Sequence, residues 1–135
     1  MSRENVEVVR RMFGARFWER IDDFWEPDGD YYPVRRFPEA RPCHGSEEIT
    51  AFLRDFLQAW GGFAVDVKSI AAIADDRVLA RVKLVAEGRG SALNMEGDVF
   101  ICCWLRHGRI FRQEDHLTLD GARQALGLSD DDPIP

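Results

Sequence analysis

The sequence is poor in cysteine, in clustered positive charge and in long apolar runs, and each shortage excludes a class of protein. Of its three cysteines, Cys102 and Cys103 are neighbours that a strand would point to opposite faces, where they cannot easily bridge each other. A reducing compartment, most simply the cytoplasm, is therefore expected. The formal net charge of −6 and the scattered Lys and Arg residues argue against a nucleic-acid partner.

Signals for a membrane, a metal or a cofactor are also missing. No apolar segment approaches the roughly 20 residues that a membrane-spanning helix needs, and the first residues enter a charged helix rather than a signal peptide. The three histidines, His44, His107 and His116, show no metal-ligand spacing. No glycine-rich phosphate loop follows a strand. We therefore expect no membrane contact, no bound metal and no cofactor.

What the chain does contain is enough residues for one domain. The 135 residues suit a single core over residues 1–128, followed by an acidic tail at 129–135 that we expect to be mobile. Apolar spacing predicts two helices, or one helix interrupted at Gly14, ending before Pro27. The clearest helix runs from Ser46 to Trp60, because its apolar residues recur at i, i+3, i+4, i+7, i+8 and i+11.

Alternating apolar residues predict strands over most of the remaining chain. A short strand over Asp30–Val34 should lie at a sheet edge, because Pro33 cannot donate to the ladder. The long strands after residue 62 include a hairpin over Gly97–Leu119 that turns at His107-Gly108. Helices followed by antiparallel strands indicate an α+β fold. We expect a cone-shaped, curved antiparallel sheet with helices on its concave face and an interior that is only partly filled.

Several local strings of this chain recur together in one family. They are Ser2–Glu7, Trp25–Asp28, His44–Ile49 and Trp104–Ile110, followed by an Ala-Leu-Gly-Leu closing helix. The chain resembles, over nearly its whole length, the SnoaL-like (polyketide cyclase-like) branch of the nuclear transport factor 2-like superfamily. That resemblance implies an α+β roll, often dimeric through the outer sheet face. Members include cyclases, isomerases, hydrolases and dehydratases, so the fold does not decide the reaction.

The candidate site lies on the second strand of the hairpin, where Arg112, Glu114 and His116 share one face about 6–7 Å apart. The resemblance implies that this face points into the cone, so that Asp115 points away. Glu114 and His116 are then the candidate acid or base, with Arg112 contacting the ligand. The alternative is a structural Arg112–Glu114 ion pair. The family's usual tyrosine is His116 here and its aspartate is Thr118, which argues against cyclase-type proton transfer.

Large aromatic residues from three segments are expected around the cone. Trp18, Tyr31, Phe56 and Trp60 would either wall a flat hydrophobic ligand or form plain core. Three functions stay open: acid–base catalysis of the isomerase, cyclase or hydrolase type, ligand binding without turnover, and a dimeric accessory role with a cone filled by its own side chains. A homodimer is expected because helices would cover only the inner face, leaving an exposed apolar row of Phe100, Cys102, Trp104, Phe111 and Leu117.

Overall fold

A computed structural model describes residues 2–14, 17–34, 40–58, 60–88 and 94–129. The helices in this part of the chain are α1 (Ser2–Met12), α2 (Ile21–Phe24), α3 (Ser46–Gln58) and α4 (Leu119–Leu126), with a 3₁₀ turn at Phe17–Glu19. The strands are β1 (Trp25–Tyr32), β2 (Cys43–His44), β3 (Trp60–Ala74), β4 (Arg77–Gly88), β5 (Asn94–Arg106) and β6 (Arg109–His116). The predicted tail lies outside the described residues except for Ser129.

The six strands form one sheet in the order β2-β1-β6-β5-β4-β3. Adjacent strands are antiparallel apart from β1 and β6, which run parallel. The sheet is therefore mixed. β1 and β6 are neighbours in the sheet, although the other four strands lie between them in the sequence. The predicted α+β fold with an open, curved sheet is confirmed.

The first three helices pack on one face of this sheet and enclose the main core. Val9 of α1, Ile21 of α2 and Ile49 of α3 are buried against inward-facing residues of β4 and β5 such as Val78 and Ile101. The amphipathic pattern predicted this placement for α3. The predicted helix was too long, however, because Trp60 begins β3.

The strand β1 differs from its prediction in both extent and position. It begins at Trp25 and has neighbours on both sides, β2 and β6, so the predicted edge strand at Asp30–Val34 is wrong. Pro33 follows the strand instead of limiting it. Pro27 lies where the pairing register with β6 shifts, an irregular position of the kind that tolerates a missing N–H.

A one-residue bulge in the β5–β6 hairpin decides which side chains enter the core. His107 and Gly108 both have positive φ angles, 54° and 74°, as a two-residue hairpin turn requires. Leu105 pairs with Ile110, but Trp104 pairs with Arg112. Phe111 is therefore the extra residue of a bulge. Every later residue of β6 consequently faces the opposite side from the one that uninterrupted alternation predicts.

The last helix packs on the outer face of the sheet. The N-cap is Thr118, whose hydroxyl accepts a hydrogen bond from the Gly121 N–H. A second buried cluster joins the helix to β4 and β5 through Leu79, Cys102, Ala122 and Leu126. The expectation that helices cover only the inner face is therefore wrong as well.

None of the helices in the described ranges is long and apolar enough to cross a membrane. The three cysteines, Cys43, Cys102 and Cys103, are free thiols and are buried. Burial raises the pKa of each thiol, so all three remain protonated and unreactive at neutral pH. They contribute as small apolar side chains.

Candidate functional site

An internal cavity of about 80 Å³ lies between the inner helices and the concave face of the sheet. Its walls are mainly apolar and include six aromatic side chains: Phe13, Phe17, Trp25, Tyr31, Phe52 and Phe56. Gln113 and Asp115 of β6 are the polar residues that join Tyr31 in the described lining. The cavity is smaller than the roughly 300–1,000 Å³ of typical ligand pockets.

A hydrogen-bonded network fixes the carboxyl group of Asp115 in this cavity. The Tyr31 hydroxyl donates to Asp115 Oδ2 at 2.6 Å, and Gln113 Nε2 donates to Asp115 Oδ1 at 2.9 Å. Cys103 Sγ lies 3.9 Å from Gln113 Oε1, which orients the amide so that its NH₂ group faces Asp115. Two neutral donors therefore hold the two carboxyl oxygens, one on each.

Burial makes Asp115 a weaker acid than an exposed aspartate. Although the residue as a whole is only half-buried, its carboxyl lies among buried groups, and this desolvation raises the pKa of Asp115 to about 6. The hydrogen bonds from Tyr31 and Gln113 and the nearby His116 act in the opposite direction. Burial and the neighbouring carboxylate raise the pKa of Tyr31 well above its usual value. Tyr31 thus remains a hydrogen-bond donor, while Asp115 titrates near neutral pH.

The aromatic walls meet at steep angles. The rings of Trp25 and Tyr31 are 6.3 Å apart with planes at 74°, and those of Tyr31 and Phe52 are 6.0 Å apart at 68°. Phe52 and Phe56 stack at 6.1 Å with planes only 16° apart. The ring faces therefore point in different directions around the cavity.

The inward orientation predicted for Arg112, Glu114 and His116 is wrong. Because Phe111 forms a bulge, these three residues pair with Trp104, Cys102 and Phe100 on the outer face, and none of the three lines the internal cavity. The predicted opposite orientation of Asp115 is wrong for the same reason. The catalytic roles of Glu114 and His116 stay a prediction, as does ligand contact by Arg112.

On the outer face these three side chains form a charged cluster. Arg112 Nη2 and Nε lie 2.8 Å and 2.9 Å from Glu114 Oε2, which is the ion pair that the alternative interpretation predicted. His116 Nε2 lies 3.4 Å from Glu114 Oε1 without meeting hydrogen-bond geometry. The Arg112 guanidinium also lies over the rings of Tyr32 and Trp104, 4.7 Å and 5.4 Å from their centroids. Glu114 and His116 line a second cleft of about 460 Å³, which Asp115 and Arg41 also line.

The structure places the four aromatic residues that were predicted to contact a ligand in different surroundings. Tyr31 and Phe56 line the cavity, whereas Trp18 does not, and its neighbour Phe17 takes that position. The two rings pack edge to face at 5.4 Å. The side chain of Trp60 lies outside the described residues. Ligand contact by any of them has not been tested.

The sequence analysis did not assign Gln113 and Asp115 to the site. A signal for them exists in the pattern of β6, because three charged residues on one face are more typical of a solvated face than of a cone interior. The adjacent apolar pair Ile110-Phe111 marks the place where the alternation changes phase. In the described part of the chain, no group of three His, Cys, Asp or Glu residues lies close enough together to hold a metal ion.

The family of the chain follows from its sequence. Residues 6–113, most of its length, match the family model described as the SnoaL-like domain. The chain belongs to the SnoaL-like domain family. The resemblance inferred from short sequence strings is thereby confirmed. Among curated proteins, no significant match to this SnoaL-like sequence is found.

Solved structures share the SnoaL-like architecture at low sequence identity. A protein from Jannaschia sp. CCS1, named as a SnoaL-like polyketide cyclase, is 15% identical with a TM-score of 0.74, over 98% of this chain and 95% of that one. Bal32a, from a soil-derived mobile gene cassette, is 21% identical with a TM-score of 0.76, over 90% and 94%.

A third similar structure contains a small molecule. It is a protein from Catenulispora acidiphila with a ketosteroid isomerase-like fold, in complex with trimethylamine. It is 16% identical to this SnoaL-like chain, with a TM-score of 0.70, over 94% of this chain and 97% of that one. At these identities the similarity of all three structures shows the fold alone.

Proposed function

We propose that this protein binds a small, mainly hydrophobic molecule in the internal cavity and anchors its one polar group on Asp115. The observation that carries the proposal is the buried carboxyl of Asp115, held by Tyr31 and Gln113 and facing aromatic walls. Buried polar groups need partners. A carboxyl placed at an apolar cavity can serve to orient a ligand that enters it.

The volume of the cavity limits the ligand. About 80 Å³ is roughly half of the 150 Å³ cavity that is known to admit benzene. A polycyclic molecule would therefore require Phe52, Phe56 or their neighbours to move. A ligand of a few non-hydrogen atoms fits the walls as they stand.

The raised pKa of Asp115 favours a second candidate function, acid–base catalysis without a cofactor. Because its pKa is about 6, both protonation states are accessible near neutral pH, as a general acid or base requires. The carboxylate would take a proton from one ligand atom and return it to another. Such an isomerisation needs no other reactant.

Binding of small neutral molecules tests the proposed function. Acetone and 2-butanone are titrated into the protein while the methyl resonances of cavity residues are followed by NMR. We expect shifts confined to the cavity in the native chain and lost in Asp115→Asn. The matched control is Asp98→Asn, because Asp98 pairs with Arg81 on the outer face. Equal binding by all three proteins, or binding by none, would refute the proposal.

Exchange of hydrogen tests the catalytic candidate separately. In D₂O, a working base would incorporate deuterium next to the carbonyl of 2-butanone faster than buffer does. Asp115→Asn should abolish the excess rate. Glu114→Gln tests the catalytic role predicted for Glu114 from the sequence, although the structure places this residue on the outer face. Ligand binding without any exchange would leave a binding module and exclude catalysis of this type.

We also propose a homodimer through the part of the outer sheet face that α4 leaves uncovered. Phe100, Trp104 and Phe111 are half-buried, with Phe100 and Trp104 at the border of the cluster that α4 forms, and Leu117 is 41% exposed. Cys102 no longer contributes accessible surface, because α4 buries it completely. The remaining apolar area supports a smaller interface than the sequence predicted.

Three buried free thiols support a reducing compartment such as the cytoplasm.

A further inference from the structure

Building on the proposed binding role of the internal cavity, we infer that its ligand is a small organic cation of the alkylammonium class. The carboxylate of Asp115 would meet the positive charge of the ligand. The aromatic walls would surround its alkyl groups. Two observations support this class over a neutral carbonyl compound, the buried carboxyl of Asp115 and the aromatic walls, and the volume of the cavity limits the size of the cation.

The hydrogen bonds on Asp115 fit its ionised form. Each carboxyl oxygen accepts one bond, from the Tyr31 hydroxyl and from Gln113 Nε2. A neutral carboxyl could donate to the Tyr31 hydroxyl, which can also accept a hydrogen bond, but not to Gln113 Nε2. The Gln113 carbonyl oxygen instead faces the Cys103 thiol. The network therefore accommodates a carboxylate with both oxygens hydrogen-bonded.

A carboxylate in an apolar cavity needs a positive charge nearby, because hydrogen bonds alone leave most of the cost of burying it. In the described lining of the cavity, no Lys, Arg or His side chain supplies one. His116 acts on Asp115 electrostatically, and Arg41 lies 5.9 Å from the centroid of the Phe52 ring, but both belong to the neighbouring cleft, which Asp115 also lines. A bound cation would add a positive charge on the cavity side of Asp115.

Aromatic walls distinguish a cation from a neutral apolar ligand. A neutral molecule of this size would pack equally well against Leu or Ile, whereas the faces of Trp, Tyr and Phe attract positive charge. Trp25, Tyr31 and Phe52 meet at 74° and 68°, so their rings bound the cavity from different sides. This arrangement resembles the aromatic cages that recognise alkylated ammonium groups.

The volume restricts the substituents on the nitrogen. A cavity of about 80 Å³ has room for methyl or ethyl groups and not for a long chain or a fused ring system, since the cavity known to admit benzene measures roughly 150 Å³. Trimethylammonium and tert-butanol are close in size and shape, and both can donate a hydrogen bond to Asp115. They differ in charge, which makes them a matched pair of probes.

The experiment compares the affinities of these two probes by NMR titration of the intact protein. We expect trimethylammonium chloride to bind about tenfold more tightly than tert-butanol, a ratio typical of a cation–π contribution. Asp115→Asn should remove this preference. Phe52→Leu should weaken trimethylammonium more than tert-butanol, and Asp98→Asn should change neither affinity.

The outcomes separate this inference from the proposed function. If tert-butanol binds as tightly as trimethylammonium, or more tightly, the cavity is a ligand site and the cation class is wrong. If neither these probes nor the neutral ketones bind, the proposed function and the inference both fail. The comparison on the unaltered protein requires no variant, so misfolding of Asp115→Asn cannot leave the question open.

Discussion

At the scale of single residues, the buried carboxyl of Asp115 links stability to pH. Its pKa is about 6 in the folded protein and near 3.8 in an exposed chain, so the folded state holds its proton more tightly. The stability associated with this group is therefore fully present below about pH 4 and is lost as the pH rises through 6. Tyr31, Gln113 and His116 limit the shift without reversing it.

We predict that Asp115→Asn removes this loss. The amide cannot ionise, so the variant should gain about 2–3 kcal/mol relative to the native chain between pH 4 and pH 7.5, from roughly 1.4 kcal/mol per pKa unit. Urea unfolding of both proteins at the two pH values measures the difference. Parallel pH profiles would mean that the carboxyl of Asp115 has an ordinary pKa.

Phe52 is the second residue with a predictable energetic role. Its side chain is 4% exposed and contacts both Tyr31 and Phe56. Phe52→Ala should cost about 3–5 kcal/mol through lost burial and an enlarged cavity. Leu117→Ala, at a position 41% exposed, should stay within about 0.5 kcal/mol. Denaturant unfolding checks both values, and a small loss at Phe52 would place it outside the core.

At the scale of elements, the sequence predicted those with a strong repeating pattern. The helix α3 follows from its apolar stripe, and β4 and the turn at His107-Gly108 follow from alternation and turn chemistry. The bulge does not follow, because Ile110 and Phe111 are both apolar and either could face the core. Once the phase was wrong at this point, every side-chain orientation assigned after it in β6 was wrong too.

The bulge predicts similar behaviour from two variants. Phe111→Ala keeps the extra residue, so it should cost no more than about 1–2 kcal/mol for a half-buried side chain. Deletion of Phe111 removes only the extra residue, so Ile110 and Arg112 can still pair with Leu105 and Trp104, and the later side chains of β6 keep their faces. We therefore expect the deletion variant to keep a cooperative unfolding transition in circular dichroism. A deletion variant that loses this transition while Phe111→Ala keeps it would show that Phe111 is not the extra residue of the bulge.

At the scale of the whole molecule, α4 changes the argument for association. The sequence indicated an apolar outer row, and the pairing of β5 with β4 places Phe100, Cys102 and Trp104 there. Local patterns do not reveal which face a short terminal helix covers, so α4 was not expected to bury Cys102 and Leu79. Which face of the sheet a helix covers depends on tertiary packing, and this was the main wrong prediction besides the orientation of the β6 side chains.

The proposed homodimer has a direct test at Leu117, which is exposed and outside the buried clusters. Leu117→Glu would introduce a charge into the interface while leaving the core intact. We expect analytical ultracentrifugation at micromolar concentration to show a dimer for the native chain and a shift towards monomer for the variant. Glu47→Gln on the exposed side of α3 is the control. A native chain that sediments only as a monomer would exclude the dimer.

The extra residue at Phe111 also affects how evolution can alter this protein. A strand of the same length without the bulge would pair Phe111 with Trp104 and Arg112 with Cys103, which exchanges Gln113 and Asp115 for Arg112 and Glu114 at the cavity while the strand order stays the same. Relatives can therefore present opposite chemical groups to their ligands with similar sequences along this strand. Functional positions in such relatives correspond by strand register, counted from the bulge, and not by their order along an ungapped alignment.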